Sequence, residues 1–309
     1  MRLNQIKGLH HVTALASGAQ ANNAFFTKAL GLRRVKKTVN FDAPSVYHLY
    51  YGDTAGTPGS VMTYFPFPRA AQGKPGNGEV STTAFSVPKG SLPFWAERLS
   101  TYGVKDLAQD QSFGANRLSF KGPDGDPLAL IEADDPRAPW TADIDEAHAI
   151  RGFHSAAMRV ADQGASNELL RFMGYEPLET SGNTTRFIMP NGNGADTIDL
   201  EEFPEAADAD QGAGSVHHIA FAVENRARQL EVREALLDTG FQVTPVIDRD
   251  YFWAIYFRAP GGVLFEIATN EPGFDRDEDA ANLGQALKLP AQHEHLRTTL
   301  ERRLEPITD

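Results

Sequence analysis

Four short segments of the chain share one pattern, in which small or apolar residues alternate with polar residues at every second position. The segments begin at Gly8, Ser81, Gly152 and Ser215, with the sequences GLHHVTALAS, STTAFSVPKG, GFHSAAMRVA and SVHHIAFAVE. A period of two is typical of a β-strand with one face in the core. We therefore expect four equivalent strands, one in each of four repeated units.

Each predicted strand is followed by an amphipathic stretch with helical spacing, over residues 21–30, 92–102, 166–173 and 226–239. Each stretch ends at a glycine: Gly31, Gly103, Gly174 and Gly240. Glycine is common just past a helix, because it adopts a left-handed conformation without strain. The segments that follow, LRRVKKTV, VKDL, YEPLET and FQVTPV, are predicted to begin new strands.

Each unit closes with two further strand-like runs joined by a turn. In the fourth unit these runs are WAIYFRAP and GGVLFEIAT, and in the second they are RLSFKGP and DPLALIEA. The first unit has VYHLYYG and SVMTYFP, and the third has TTRFIMP and DTIDLEE. Pro-Gly and Asp-Gly pairs mark such turns. The chain is thus predicted to be an α+β protein of four βαβββ modules.

Two such modules can close a curved, half-barrel sheet around a cavity, so we expect two half-barrel domains. Stretches rich in Gly, Pro, Asp and Ala near residues 68–79 and 134–150 suggest linkers. We expect one pair of modules in residues 1–140, a second pair in 141–275, and a helical tail in 276–309.

The amino-acid composition limits the possible binding partners, the expected location and the possible metal ligands. A net charge of −12 argues against binding to nucleic acid or to an anionic membrane surface. The start of the chain lacks a signal-peptide pattern and no apolar run is long enough to span a membrane, so we expect a soluble, cytoplasmic protein. Because there is no cysteine, any metal must be held by His and oxygen ligands, which suits Fe(II), Mn(II), Ni(II) or Zn(II).

Alignment of the modules places imidazoles at equivalent first-strand positions only in the first and fourth. The aligned first-strand residues are His11, Thr83 or a neighbour, Ser155 and His218. Six residues after the turn proline, the last strands carry Tyr64, Ala129 and Glu266, and the third module offers only Asp199 and Glu201 nearby. Two His and one carboxylate form a facial triad that leaves coordination positions open. A metal would also offset the cost of burying Glu266 in its apolar strand.

Three further histidines are less clearly placed. Strict alternation puts His10 and His217 on the opposite strand face from His11 and His218, where they would pack or support the ligands from behind, unless a local bulge turns them toward the site. His154 aligns with His10, and with Asp199 and Glu201 it could form a second metal site. Ser155 stands where the ligand should be, so we interpret this as a vestigial site.

The motifs resemble those of hydroquinone-type ring-cleaving dioxygenases of the vicinal-oxygen-chelate superfamily. The resemblance starts in GLHHVTALASGAQANNAFFTKALGLRRVKKTVNFDAPSVYHLYYG and continues through RGFHS, SVHHIAFAV, DRDYFWAIYFRAPGGVLFEIAT and GFDRDEDAANLGQALKLP. It implies Fe(II), with Mn(II) as an alternative, bound by His11, His218 and Glu266. It also implies catalytic roles for five residues around the metal: His10, Thr13, His217, Arg249 and Tyr256. His10 and His217, the histidines that precede the two ligands, would then reach the site.

This resemblance implies a small aromatic substrate, most simply a hydroquinone, and O2 as the second substrate. The residues Tyr64, Phe65, Phe67, Tyr251, Phe252 and Trp253 would suit a flat apolar ring, although each could equally pack in the core. Arg249 could form a surface ion pair, and Tyr256 could be a core residue whose phenol needs a hydrogen-bond partner.

Two alternative functions use the same fold: a glyoxalase-like lyase or isomerase with Ni(II) or Zn(II), and a non-enzymatic drug-binding protein. The first usually has a second acidic group in the fourth position, where we expect Tyr64. The sequence leaves open the ring substituents and whether the chain forms a homo-oligomer.

Overall fold

The computed structural model describes residues 2–308 and is built on two eight-stranded sheets. The strands are β1 Ile6–Ala16, β2 Arg33–Val39, β3 Tyr47–Gly52, β4 Val61–Pro66, β5 Glu79–Val87, β6 Ala108–Ser112, β7 Ala115–Lys121, β8 Pro127–Glu132, β9 Gly152–Val160, β10 Glu176–Ser181, β11 Thr184–Ile188, β12 Thr197–Glu202, β13 Val216–Val223, β14 Ile247–Asp248, β15 Phe252–Arg258 and β16 Leu264–Pro272. The α-helices are α1 Ala19–Ala24, α2 Leu92–Thr101, α3 Gly164–Phe172, α4 Arg226–Asp238 and α5 Arg297–Arg303. The predicted α+β fold of four βαβββ modules is confirmed.

The predicted helices lie where the periodicity placed them, with local differences. The first divides into α1 and a π-helical turn, Phe25–Ala29. All four glycines that follow the helices have positive φ, between 65° and 105°. No strand forms over VKDL, since β6 begins after it at Ala108. The predicted strand at FQVTPV is also wrong, since β14 begins only after it, at Ile247. Pro245 has no N–H to give to a sheet, and the Thr244 hydroxyl accepts the hydrogen bond from Tyr256 N instead.

The sheets combine modules that are distant in sequence. One has the strand order β14-β15-β16-β13-β1-β4-β3-β2 and joins the fourth module to the first. The other has the order β10-β11-β12-β9-β5-β8-β7-β6 and joins the third to the second. Residues 1–140 and 141–275 therefore each contribute one module to each sheet, which corrects the expected pairing of neighbouring modules. The four first strands carry the same alternating pattern, and so nothing local specifies their partners.

The segment after β16 packs against the first module. Over the described residues 273–308 it forms α5 and short 3₁₀ helices at Phe274–Arg276, Ala280–Asn282 and Ala291–Leu296. The fully buried Lys36 on β2 forms ion pairs with Asp277 at 2.6 Å and Glu278 at 2.5 Å. Removal of one partner from such a buried pair lowers the free energy of unfolding by about 3–5 kcal/mol. These ion pairs therefore stabilise the packing of the C-terminal segment against the first module. Within residues 2–308, no helix has the length and apolar character needed to cross a bilayer.

Candidate metal centre

An approximate two-fold axis between β1 and β13 brings the three predicted ligands together. The two strands are antiparallel, with His11 opposite Ala220 and Thr13 opposite His218. On the neighbouring β16, Glu266 lies opposite Ala220. The two imidazoles therefore face each other across the axis, and the carboxylate lies beside both of them.

The potential ligand atoms of His11, His218 and Glu266 all lie within 4.8 Å of one another, and all three residues are buried. Glu266 Oε2 is 2.9 Å from His218 Nε2 and 3.3 Å from His11 Nε2. The two Nε2 atoms are 3.3 Å apart. Ligands about 2.1 Å from a metal and about 90° apart lie about 3 Å from each other. The three separations therefore suit one face of an octahedron.

The polar atoms in this cluster also suit a cation. Neither carboxylate oxygen of Glu266 has a hydrogen-bond partner among the described residues, although the side chain is fully buried. Burial alone would raise the pKa of Glu266, yet the facing imidazoles hold it well below its usual range. Burial lowers the pKa of His218 despite the nearby carboxylate. A buried carboxylate facing two imidazoles is a ligand set for a divalent metal.

Two β-bulges position the histidines that precede the candidate ligands. In the pairing of β1 with β13, His10 is the extra residue between Leu9 and His11. On the other strand His217 is the extra residue between Val216 and His218. Because a bulge interrupts alternation, these two histidines depart from the strict pattern, as the bulge alternative allowed. Their imidazoles instead lie against those of the neighbouring ligands.

The contacts of His10 explain which nitrogen of His11 is free. His10 Nε2 lies 3.0 Å from the carbonyl of Thr269, which can only accept a hydrogen bond. In a neutral His10, Nδ1 must then accept from His11 Nδ1, which is 2.9 Å away. Burial lowers the pKa of His10 to about 3, so the ring is neutral. This leaves the Nε2 lone pair of His11 directed at Glu266, as a metal ligand requires.

His217 makes the matching contact on the other side, with its Nδ1 2.7 Å from Nδ1 of His218. Unlike His10, it also lines the cavity above the cluster. Burial and the neighbouring His218 lower its pKa to about 4. The structure thus places His217 in the cavity and His10 behind His11.

A cavity of about 500 Å³ opens above the candidate ligands. Of the predicted aromatic residues, Phe65, Phe67 and Phe252 line it, whereas Tyr64, Tyr251 and Trp253 do not. The complete lining is His11, Leu15, Asn40, Phe41, Asp42, Ala43, His48, Tyr50, Phe65, Phe67, His217, His218, Thr244, Arg249, Phe252, Tyr256, Leu264 and Glu266.

Arg249 and Tyr256 both line this cavity. Tyr256 pairs with Glu266 across β15 and β16, and its phenol accepts a 3.3 Å hydrogen bond from Arg249 Nε. Burial and the Glu266 carboxylate raise the pKa of Tyr256 well above its usual range, so it remains a neutral donor. Arg249 also reaches Asp42 Oδ2 at 3.3 Å, and Asp42 is 80% exposed at the cavity mouth.

The fourth position of the two-fold arrangement holds Thr63, and our expectation of Tyr64 is wrong. Thr63 lies opposite Thr13 just as Glu266 lies opposite Ala220. The turn before β4 differs by one residue from the turn before β16, so counting from the proline shifted the register. Tyr64 instead donates a 2.9 Å hydrogen bond to Asp126. Thr13 does not line the cavity, and its hydroxyl lies 2.9 Å from that of Thr63.

His48 is a cavity residue that the sequence analysis missed. It is buried on β3, with Nε2 2.8 Å from the Thr63 hydroxyl and Nδ1 2.8 Å from the Tyr50 hydroxyl. Burial lowers its pKa well below the usual range. A single histidine in VYHLYYG has no repeat partner to mark it. The only available signal was its alternation with Tyr50.

The second sheet has the same register without the ligands. Thr82, Ser155 and Asp199 take the positions of His11, His218 and Glu266. Asp199 accepts two 2.7 Å hydrogen bonds from Arg186, which stands where Tyr256 stands in the first sheet. His154 lies beside Ser155, 3.1 Å from its hydroxyl. A guanidinium thus pairs with the carboxylate that would otherwise face a cation, in keeping with the vestigial interpretation.

Comparison with known proteins agrees with this architecture. The family model described as Glyoxalase/Bleomycin resistance protein/Dioxygenase superfamily matches residues 8–267. MhqO, a candidate ring-cleaving dioxygenase of Bacillus subtilis, is 40% identical over 97% of this chain and 96% of its own. The chlorohydroquinone/hydroquinone 1,2-dioxygenase of Sphingobium indicum is 36% identical over 96% of both chains. A crystal structure of a candidate dioxygenase from Bacillus subtilis has a TM-score of 0.95, with 39% identity over 99% of this chain and 98% of its own. The chain therefore belongs to the glyoxalase/bleomycin resistance protein/dioxygenase superfamily.

Proposed function

We propose that this protein, an enzyme of the ring-cleaving dioxygenase group, uses Fe(II) to open the ring of a hydroquinone with O2. The observation that carries the proposal is the buried cluster of His11, His218 and Glu266 at the floor of an aromatic cavity. Full-length relatives named as dioxygenases support the reaction class.

His11, His218 and Glu266 would hold the metal, leaving the cavity side of the site open to substrate. Fe(II) in such a triad supplies Lewis acidity, which favours a deprotonated phenol oxygen, and the electron-transfer chemistry that O2 requires. Mn(II) suits the same ligands. His10 contributes by holding His11 in the ligating tautomer.

The remaining lining residues would orient the substrate ring and stabilise the charge that develops on its oxygen. Phe65, Phe67 and Phe252 provide apolar walls for a planar substrate. His217 is neutral and reaches the cavity. Because its Nδ1 accepts from Nδ1 of the ligating His218, its Nε2 carries the proton and can donate a hydrogen bond to a substrate oxygen. Arg249 and Tyr256 can donate charge-assisted hydrogen bonds to an oxyanion beside Glu266.

The preference for hydroquinones rests on the number of polar groups in the cavity. A catechol chelates a metal through two adjacent oxygens and so orients itself. A hydroquinone offers the metal one oxygen, and the protein must fix the ring through other contacts. The relative from Sphingobium indicum is named for chlorohydroquinone and hydroquinone, which supports the same substrate class here.

The alternative activities find less support. A glyoxalase-like reaction needs an acidic group at the fourth position, where this chain has Thr63. A binding protein without catalysis would have no use for three converging buried ligands.

The test is O2 consumption by protein loaded anaerobically with Fe(II), or with Mn(II) in a parallel sample. Methylhydroquinone, chlorohydroquinone, catechol and 3-methylcatechol would be compared at equal concentration. We expect metal-dependent O2 uptake that is fastest with the hydroquinones. Faster cleavage of the catechols would overturn the substrate class, and the absence of uptake with all four would overturn the proposed reaction.

A further inference from the structure

A buried, hydrogen-bonded chain of four side chains in the first module reaches the cavity through His48 and Tyr50, which line it. Tyr50 Oη lies 2.8 Å from His48 Nδ1, and His48 Nε2 lies 2.8 Å from Thr63 Oγ1. Thr63 Oγ1 in turn lies 2.9 Å from Thr13 Oγ1. Each hydroxyl and ring nitrogen is thus fixed by the next, which makes the chain rigid and cooperative.

The two-fold axis relates Tyr50 in the first module to Tyr256 in the fourth. Tyr50 lies opposite Thr63 on the adjacent strand, as Tyr256 lies opposite Glu266. Two phenols therefore enter the cavity from equivalent positions in the two modules. Tyr256 lies beside the candidate ligand Glu266, whereas Tyr50 lies beside Thr63, which offers no charge.

Tyr50 is the residue of this chain that lines the cavity and can still form a further hydrogen bond. Both nitrogens of His48 are occupied, and the hydroxyl of Thr13 does not line the cavity. A phenol can donate one hydrogen bond and accept others. Whichever way the protons point along the chain, the Tyr50 oxygen retains one donor or acceptor function beyond its bond to His48. Burial and the Glu266 carboxylate raise the pKa of Tyr50, so the phenol stays protonated.

We infer that Tyr50 hydrogen-bonds the ring hydroxyl that lies away from the metal ligands, and that it thereby selects para-dihydroxylated rings over catechols. This inference rests on the proposed function and assigns its specificity to named residues. Tyr50 would touch the substrate, while His48 and Thr63 would act as positioning residues that fix the direction of its hydroxyl.

The discrimination follows from what each substrate leaves unpaired. A hydroquinone bound through one oxygen presents its second oxygen across the ring, where Tyr50 can pair with it. A catechol has both oxygens at the metal, and the hydroxyl of Tyr50 then faces a bare ring edge. A site built to hydrogen-bond a hydroxyl disfavours a ligand that lacks it, because its own polar group is left without a partner.

The experiment compares Tyr50→Phe with wild type, both metal-loaded, using methylhydroquinone and 3-methylcatechol. A neutral hydrogen bond contributes modestly, so we expect kcat/KM for methylhydroquinone to fall about 3- to 10-fold, with that for 3-methylcatechol changed less than about 2-fold. Anaerobic calorimetry should give the same selective loss in Kd. The control is Tyr64→Phe, which removes a buried phenol hydroxyl bonded to Asp126 outside the cavity, and both substrates should retain their wild-type ratio.

Thr63→Val and Thr63→Ser separate positioning from simple destabilisation. Valine removes the partner of His48 Nε2, so the substrate ratio should shift in the same direction as in Tyr50→Phe, and serine should restore it. Equal losses for both substrates in Tyr50→Phe, or an unchanged ratio, would overturn the inference. If wild-type protein consumes no O2, the proposed reaction fails. The calorimetric ratio of Kd values for the two substrates still decides the inference in that case, and the same ratio in Tyr50→Phe as in wild type would overturn it.

Discussion

Replacement of Glu266 by Gln tests the metal centre with one atom changed. The substitution keeps the shape of the side chain but removes the charge that faces His11 and His218 at 3.3 Å and 2.9 Å. Without metal, Glu266→Gln loses the attraction to the two imidazoles that lowers the pKa of the Glu266 carboxylate. Each protein is therefore compared with its own metal-free form, so that this effect cancels. With metal, Glu266→Gln should lose most of the stabilisation that binding confers.

The size of that loss follows from mass action. A metal present at about 100 times its Kd stabilises the folded protein by about 2.7 kcal/mol. Changes to groups that only support a ligand reduce metal affinity about 10- to 100-fold, and Glu266 is a candidate ligand itself. A 100-fold loss at the same metal concentration leaves about 0.4 kcal/mol of stabilisation. Since about 1 kcal/mol corresponds to about 2 °C in a chain of this size, wild type should gain about 5 °C and the variant about 1 °C.

The assay is anaerobic thermal unfolding with Fe(II) and, separately, with EDTA. Glu201→Gln is the matched control, because Glu201 is a partly buried carboxylate of the second sheet that pairs with Arg159 and Ser81. It should show the full metal-dependent shift. A wild-type shift in Glu266→Gln would remove this residue from the ligand set. An equal loss in the control would show that metal binds elsewhere or nonspecifically.

Three further predictions follow from the same contacts. His10→Phe removes the acceptor for His11 Nδ1, so metal affinity should fall about 10- to 100-fold in an anaerobic titration; unchanged affinity would exclude the tautomer argument. His154→Ala should retain the wild-type metal content by elemental analysis, since no candidate ligand touches His154, and loss of metal from a folded variant would contradict this. Burial raises the pKa of Asp126 from 3.8 to about 6, so the folded protein holds a proton that the unfolded chain releases in this window. Stability should therefore fall as pH rises from about 4 to about 6, by about 3 kcal/mol at most; Asp126→Asn should flatten this slope in urea titrations, and identical slopes would refute the assignment.

Local chemistry carried much of the prediction from sequence. The βαβββ module follows from strand and helix periods and from glycines that must take positive φ, all of which are properties of a few neighbouring residues. The equivalence of His11 and His218 followed from repetition of that module. The carboxylate at Glu266 was detectable because an acidic residue in an apolar strand needs a partner.

The tertiary structure decided the relations between segments that look alike. Which first strands pair could not be predicted, because all four carry the same pattern, and pairing of the first with the fourth is what joins His11 to His218. The bulges at His10 and His217 depend on both strands at once, and so alternation along either one placed these residues on the wrong face. His48 could be recognised as a cavity residue only from the tertiary structure, which places Tyr50 and Thr63 at its two ring nitrogens. A period along the chain determines which face of a strand is buried, but only contacts between strands determine what that face meets.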